Sequence, residues 1–223
     1  ATNLRIDTLV INSGDANAEV TDAHVSTVKN KTFTTVRNRF EEVEADVHFP
    51  AKNVIINSDV SNGTTGWSNG ASTLSATNNI LTVTGDGTGT PFYTIGSSNV
   101  NVINGHKIYA KAKITINNPT PSRLLFRVIG STSGNFTIFD LNNPVVNETY
   151  TCKGIVTLDS TAVGTLGVRC NFVYATTADT LNKTASIQNV IVIDLTSTFG
   201  AGNEPTVEEM DRILALFSNS WFG

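Results

Sequence analysis

Ten short apolar runs, each of strand length and each set off by turn-forming residues, restrict most of this chain to an all-β fold. They fall at 53–57, 72–76, 79–84, 92–96, 106–116, 122–130, 136–141, 149–158, 164–175 and 186–195. Between them stand Asn62-Gly63, Gly85-Asp86-Gly87, Asn104-Gly105, Asn117-Asn118-Pro119, Ser133-Gly134 and Asn142-Asn143-Pro144, which favour tight reversals. Many strands with no helix between them predict an antiparallel two-sheet sandwich of jelly-roll form. Composition agrees: 15% of residues are charged, against roughly a quarter in soluble domains, and Thr, Asn, Ser and Gly are abundant.

The last run, Ile187–Leu195, is apolar at nearly every position, as in a strand covered on both faces. Phe199-Gly200-Ala201-Gly202 then breaks the pattern. Thr206, with Glu209 three residues on, has capping-box spacing. Val207, Met210, Ile213, Leu214 and Phe217 share one helical face, predicting a C-terminal helix that docks on the β-domain.

Ahead of the sandwich, Asn3–Asn12 reads as a short strand or arm. Phe33, Val36, Phe40, Val43 and Val47 form a two-heptad seam with Arg37 and Glu41 at i,i+4 spacing. Its arginines come early and its acids late, against the helix dipole, so packing must hold such a helix. Such a helix either associates with copies of itself or lies docked on the sandwich. Pro50 ends the segment. The expected organisation is an attachment or oligomerisation segment at 1–49, a sandwich at 50–198, and a linker with docking helix at 199–223.

Bulk properties narrow the function. No run approaches the ~20 apolar residues of a membrane span, and no basic-then-apolar leader opens the chain, so a soluble protein is expected. A net charge of −4 argues against bulk nucleic-acid binding. Cys152 and Cys170 each share strand parity with apolar neighbours and are expected as buried thiols; a disulfide stays open if they lie opposite. The histidines, His24, His48 and His106, lack zinc-site spacing, and no G-x-S-x-G occurs. Acids within the sandwich (Asp59, Asp86, Asp140, Glu148, Asp159, Asp179, Asp194) fall mostly at strand ends or in loops, so the paired carboxylates of a glycosidase are not expected. The chain is read as a non-enzyme.

Charge is unevenly spread. No Asp or Glu lies between Gly87 and Phe139, yet Lys107, Lys111, Lys113, Arg123 and Arg127 do. Strand parity sets Lys107, Tyr109, Lys111 and Lys113 opposite Ile108, Ala110, Ala112 and Ile114. It likewise sets Arg123 and Arg127 opposite Leu124, Phe126 and Val128, and Arg169 and Asn171 opposite Val168, Cys170 and Phe172. If these strands are neighbours, one face carries Tyr109, Lys111, Arg123, Arg127, Arg169 and Asn171. Arginine forks suit phosphate or carboxylate, and tyrosine offers a stacking plane. The rival reading is a plain solvated face. Of Phe92-Tyr93 only one can be exposed, and Tyr93 joins the candidates. Trp67 reads as core or as a sugar platform.

Two stretches carry a family resemblance. Asp194-Leu-Thr-Ser-Thr-Phe-Gly-Ala-Gly-Asn-Glu-Pro-Thr-Val-Glu-Glu-Met210 resembles a segment that closes a carbohydrate-binding-module-like sandwich in tail-tip and baseplate proteins of phages infecting Gram-positive bacteria. Asn53-Val-Ile-Ile-Asn-Ser-Asp-Val-Ser-Asn-Gly-Thr-Thr-Gly-Trp67 resembles the opening strand of such modules. Glu19-Val-Thr-Asp-Ala-His-Val25 is a weaker third match, with His24 where the family usually has Arg. The resemblance implies a virion protein of a phage or prophage tail, assembled in the host cytoplasm beside other tail and baseplate proteins. It implies non-catalytic recognition of cell-wall polysaccharide or teichoic acid, or alternatively a structural adaptor or spacer, and it favours a small homotrimeric bundle at 34–47, since fibre-like tail proteins commonly trimerise. It also implies a structural calcium near the first and last strands. Asp194 matches one ligand position, but Val60-Ser61 stand where an acid is common, leaving Asp59 one or two positions away. That set is incomplete, and no cofactor is expected.

Overall fold

The computed structural model describes residues 52–118 and 120–215, together with the backbone of two short paired strands, β1 (Val25–Ser26) and β2 (Lys31–Thr32). The expected bundle at 34–47, the trimer it would form, and Phe217, Trp221 and Phe222 lie outside these residues. The chain divides into two compact units, Ala1–Phe49 and Pro50–Gly223. The second is treated below.

Its strands are β3 (Trp67–Gly70), β4 (Ser72–Thr77), β5 (Ile80–Gly85), β6 (Phe92–Asn101), β7 (Lys107–Ile116), β8 (Arg123–Gly130), β9 (Asn135–Asn142), β10 (Thr149–Thr157), β11 (Thr165–Val173) and β12 (Thr184–Asp194). Sheet I has the order β10-β7-β12-β5-β4 and sheet II the order β3-β6-β11-β8-β9. Every pairing is antiparallel. The fold is an all-β, two-sheet, jelly-roll-like sandwich, as the spacing of turns predicts.

Strand parity sorts the side chains. Ile108, Ala110, Ala112, Ile114 and Ile116 from β7 meet Leu124, Phe126 and Val128 from β8 and Val168, Cys170 and Phe172 from β11 in one buried core. Phe92 stacks on Phe172 with ring centroids 5.0 Å apart. Trp67 is core, 8% exposed, and its indole N–H donates to the Asn57 carbonyl at 3.0 Å; it is not a platform. Cys152 and Cys170 are free buried thiols on opposite sheets. Burial raises both thiols, Cys152 to about 12, which leaves neither nucleophilic near neutral pH.

The expected strand at 53–57 is not one. Val54 N–H reaches Val192 of sheet I and Ile56 N–H reaches Ser97 of sheet II, so the segment touches both sheets and builds a ladder with neither. The buried Asn53 amide instead fastens a bulge in β12. Its Nδ2 donates to Val190 O at 2.8 Å, and its Oδ1 accepts from Val192 N at 2.9 Å. Asn57 likewise closes the following turn through Gly63 O, Thr65 O and Asn62 N. The Asn and Gly residues of the opening stretch are therefore turn-builders. The first strand of sheet II is β3, a short polar segment outside the ten expected runs.

After β12 come α1 (Leu195–Phe199) and α2 (Val207–Ala215). Asp194 caps α1 by accepting from Ser197 N at 2.9 Å. The capping box on α2 forms: the Thr206 N–H donates to Glu209 Oε2 at 2.8 Å, and the Glu209 N–H to Thr206 Oγ1 at 3.3 Å. Met210 and Leu214 are buried. Both helices pack on the side of sheet I, against β7, β10 and β12.

Candidate functional site

The six residues predicted to line one face lie on two. β7 belongs to sheet I, whereas β6, β8 and β11 are neighbours in sheet II. Tyr109 and Lys111 are thus separated from Arg123, Arg127, Arg169, Asn171 and Tyr93 by the thickness of the sandwich. In a jelly roll, strands consecutive in sequence can cross between sheets, and β7 to β8 is such a crossing.

On sheet I the basic outer face is a helix dock. Asp211 of α2 accepts from Tyr109 Oη at 3.1 Å, from Lys111 Nζ at 2.9 Å, and from Lys153 Nζ of β10. Tyr109 is fully buried. Burial works against ionising Asp211, but hydrogen bonds from Lys153, Lys111 and Tyr109 hold its carboxyl below its ordinary value. Burial and Asp211 push the Tyr109 hydroxyl up. Glu204 receives Lys107 Nζ at 3.2 Å and Thr196 Oγ1 at 2.8 Å. Its own backbone amide and Thr196, with Lys107, lower its carboxyl to about 2. Lys107 and Lys111 of β7 thus find acids that lie far along the chain.

On sheet II the outer face is organised in cross-strand rows. Arg169 of β11 stands directly opposite Arg127 of β8, and Asn171 opposite Leu125. On the other side of β11, Ile95 faces Arg169 and Tyr93 faces Asn171, with Gly70 of β3 beyond Tyr93. The Tyr93 ring occupies the space over Gly70: a Cβ built there would lie 2.1 Å from its Cζ. The Arg169 guanidinium sits 3.8 Å above the centroid of the same ring, a cation–π contact. Arg123, at the outer end of β8, is tied to Asp140, its Nε donating at 2.7 Å.

Three polar atoms on this face are buried without a hydrogen-bond partner: Arg127 Nε, Arg169 Nε and Asn171 Oδ1. Asn171 is 2% exposed. Asp140 is the sole acid among the five strands of sheet II, and it is engaged by Arg123. Burial lowers Arg169, Tyr93 opposes that, and Arg127 adds to it. Like charges directly opposite on neighbouring strands oppose pairing, and buried donors without acceptors cost desolvation energy. The sandwich core gives no reason for either.

A second cluster of polar side chains lies at the start of α1. His106 Nδ1 lies 2.8 Å from Asp194 Oδ2, and Ser197 Oγ lies 2.8 Å from that oxygen and 3.4 Å from the same ring nitrogen. A nucleophile relay places hydroxyl and carboxylate on different ring nitrogens; here both share Nδ1, and the group caps a helix. Asp59 accepts from Ser61 through both its N–H and its hydroxyl. Asp194 and Asp59 are thus each engaged locally, and no group of three or more His, Cys, Asp or Glu side chains gathers among the described residues.

No protein-family model matches the chain, and no curated protein matches it. Solved structures share the sandwich. The arabinose-bound MgGH51 α-L-arabinofuranosidase aligns over 73% of this chain with TM-score 0.53 and 7% identity, and this chain spans 29% of that one. The enzymatically active domain of tailspike protein 4 from bacteriophage CBA120 aligns over 63%, with TM-score 0.46 and 13% identity, covering 21% of that chain. A mutant carbohydrate-binding module of family 29 aligns over 64%, with TM-score 0.42 and 15% identity, covering 91% of that chain. These are likenesses of fold.

Proposed function

We propose that this chain is a non-catalytic phage tail or baseplate protein that recognises polysaccharide of the bacterial wall, teichoic acids included, through the outer face of sheet II. The observation that carries the reading is the Arg127–Arg169 pair, with its buried, acceptorless Nε groups beside the unpartnered Asn171 Oδ1. A ligand bearing acceptors and a hydroxyl would satisfy all three. The sandwich supplies a rigid sheet on which such a constellation is held. The resemblance of Asn53–Trp67 and Asp194–Met210 supplies the tail context and, with it, a place in the virion among other tail proteins.

A second reading draws on Ile103, Val145, Val163 and Leu181, large apolar side chains exposed in the loops of the sandwich. In that reading these loops meet protein, and the chain is a baseplate adaptor or spacer, assembled as a homotrimer.

The test is binding of the full chain to intact Gram-positive cells and to walls stripped of teichoic acid, across a salt series. Binding that is lost on stripping and weakened by salt supports wall recognition. Absence of binding to any wall, in a protein that forms a stable complex with tail proteins, overturns it in favour of the adaptor.

A further inference from the structure

We infer that Arg127 and Arg169 together clamp one oxyanion group of the ligand, with Asn171 Oδ1 accepting a hydroxyl from the adjoining sugar and Tyr93 acting only to position Arg169. The inference deepens the wall-recognition reading and rests on it for the polymeric nature of the ligand. It changes what the site reads: charge rather than ring stacking.

Geometry carries it. Arg127 and Arg169 are cross-strand partners, so their side chains rise from the same outer row of β8 and β11. Each guanidinium offers an N–H fork, and the Nε of each is buried without an acceptor. Of the groups facing them, Asp140 is hydrogen-bonded to Arg123 and reaches Arg127 only through space, and Thr137, Ile95, Leu125 and Ile129 bring no charge. Two cations held together in a partly buried place call for one anion between them. The chemistry that fits is a tetrahedral phosphodiester or a planar carboxylate, both of which arise in wall polymers.

Tyr93 fits a supporting part. A sugar platform needs an open aromatic face, but Arg169 covers one face of this ring. The ring also fills the space above Gly70. What the ring can do is fix the guanidinium over a negative π-surface, and that sets the direction of the Arg169 fork.

The test is a titration of the full chain followed by ¹H–¹⁵N spectra of the arginine Nε groups, assigned with Arg127→Lys, Arg169→Lys and Arg123→Lys. The probes are inorganic phosphate, glycerol 3-phosphate, glucuronate and uncharged glucose. Saturable, concerted shifts of the Arg127 and Arg169 resonances with the anions but not with glucose, and with Arg123 unmoved, support the clamp. Preference for the phosphates or for glucuronate names the source of the oxyanion. Tyr93→Leu should weaken anion binding about two- to five-fold, while Tyr93→Phe leaves it unchanged. Linear, unsaturable shifts spread over all arginines, or shifts in neither resonance, overturn it. If a neutral wall glycan binds while the anions do nothing, the clamp fails and wall recognition stands. If the anions saturate the pair while no wall binds, the clamp stands and wall recognition fails.

Discussion

Arg127 and Arg169 oppose one another across the β8–β11 ladder, each burying an Nε–H that finds no acceptor. Other basic residues of the sandwich meet acids: Lys107 with Glu204, Lys111 and Lys153 with Asp211, and Arg123 with Asp140. A like-charged pair on the face away from the helices works against the fold that carries it. Such local conflicts mark sites kept for function.

The conflict has a measurable sign. Arg169→Gln or Arg127→Gln should leave thermal stability unchanged or raise it by up to about 1 kcal/mol, because repulsion and desolvation are relieved. The same variants should lose at least about ten-fold in wall binding, the scale of a charge-assisted hydrogen bond. Thermal unfolding and a wall-binding isotherm on the same preparations check both. Loss of stability in parallel with binding would make the arginines structural.

Gly70 provides a remote handle on Arg169. Gly70→Ala puts a methyl where the Tyr93 ring now lies, and the ring, being the far end of a side chain, can swing away. The fold should persist, and binding should weaken by a few-fold because Arg169 loses its π-surface. Gly70→Ala combined with Tyr93→Leu should be no worse than Tyr93→Leu alone, a non-additivity that a double-mutant cycle reads directly.

Acid should release the C-terminal helix. Asp211 in the folded protein lies below its ordinary 3.8, and Glu204 falls from 4.5 to about 2. Groups depressed in this way stabilise fully above their unfolded values and lose that contribution as pH falls through the folded ones. The docking of α2 should therefore weaken between about pH 4.5 and 2. Asp211→Asn should cost about 1–3 kcal/mol at pH 7 and flatten part of that pH dependence. Urea midpoints at pH 7 and pH 3 for both proteins test this. An equal loss on acidification in the two would contradict it.

Asn53 is the internal control. Its amide serves Val190, Val192, Ser58 and Ile55, most of them in buried surroundings. Asn53→Ala should destabilise by about 2–4 kcal/mol, since the bulge in β12 is left with unpaired groups. Binding measured on the folded fraction should not change. Denaturant unfolding alongside binding separates the two effects.

The order of nine strands, the bounds of all but β6, which runs on to Asn101 past its expected end at 96, the inward and outward parity, and the capping box on α2 were legible, because period-two alternation and turn residues are local signals. Strand neighbourhood was not. Nothing local says that β7 and β8 lie in different sheets, so Tyr109 and Lys111 were grouped with Arg127 and Arg169 when they belong to the helix dock. The acid that accounts for Lys111 is Asp211, 100 residues later, well outside the acid-free stretch between Gly87 and Phe139. Asn53–Asn57 read as a strand because its apolar run is strand-like, while its hydrogen bonds are divided between two sheets. Gly70, in a short polar segment outside the ten expected runs, gave no sign that it makes room for Tyr93. For Arg127, Arg169 and Asn171 the signal was parity alone, and it was enough to set them on one face once their strands proved to be neighbours.

The most direct measurement is a comparison of wall binding by two double variants of the full chain, Arg127→Gln with Arg169→Gln and Lys107→Gln with Lys113→Gln, against the unaltered protein. Both remove two positive charges, one pair from each sheet's outer face. If sheet II carries the site, the arginine variant loses binding and the lysine variant retains it at matched ionic strength. Equal loss in the two, or retention by the arginine variant, would contradict a site on sheet II.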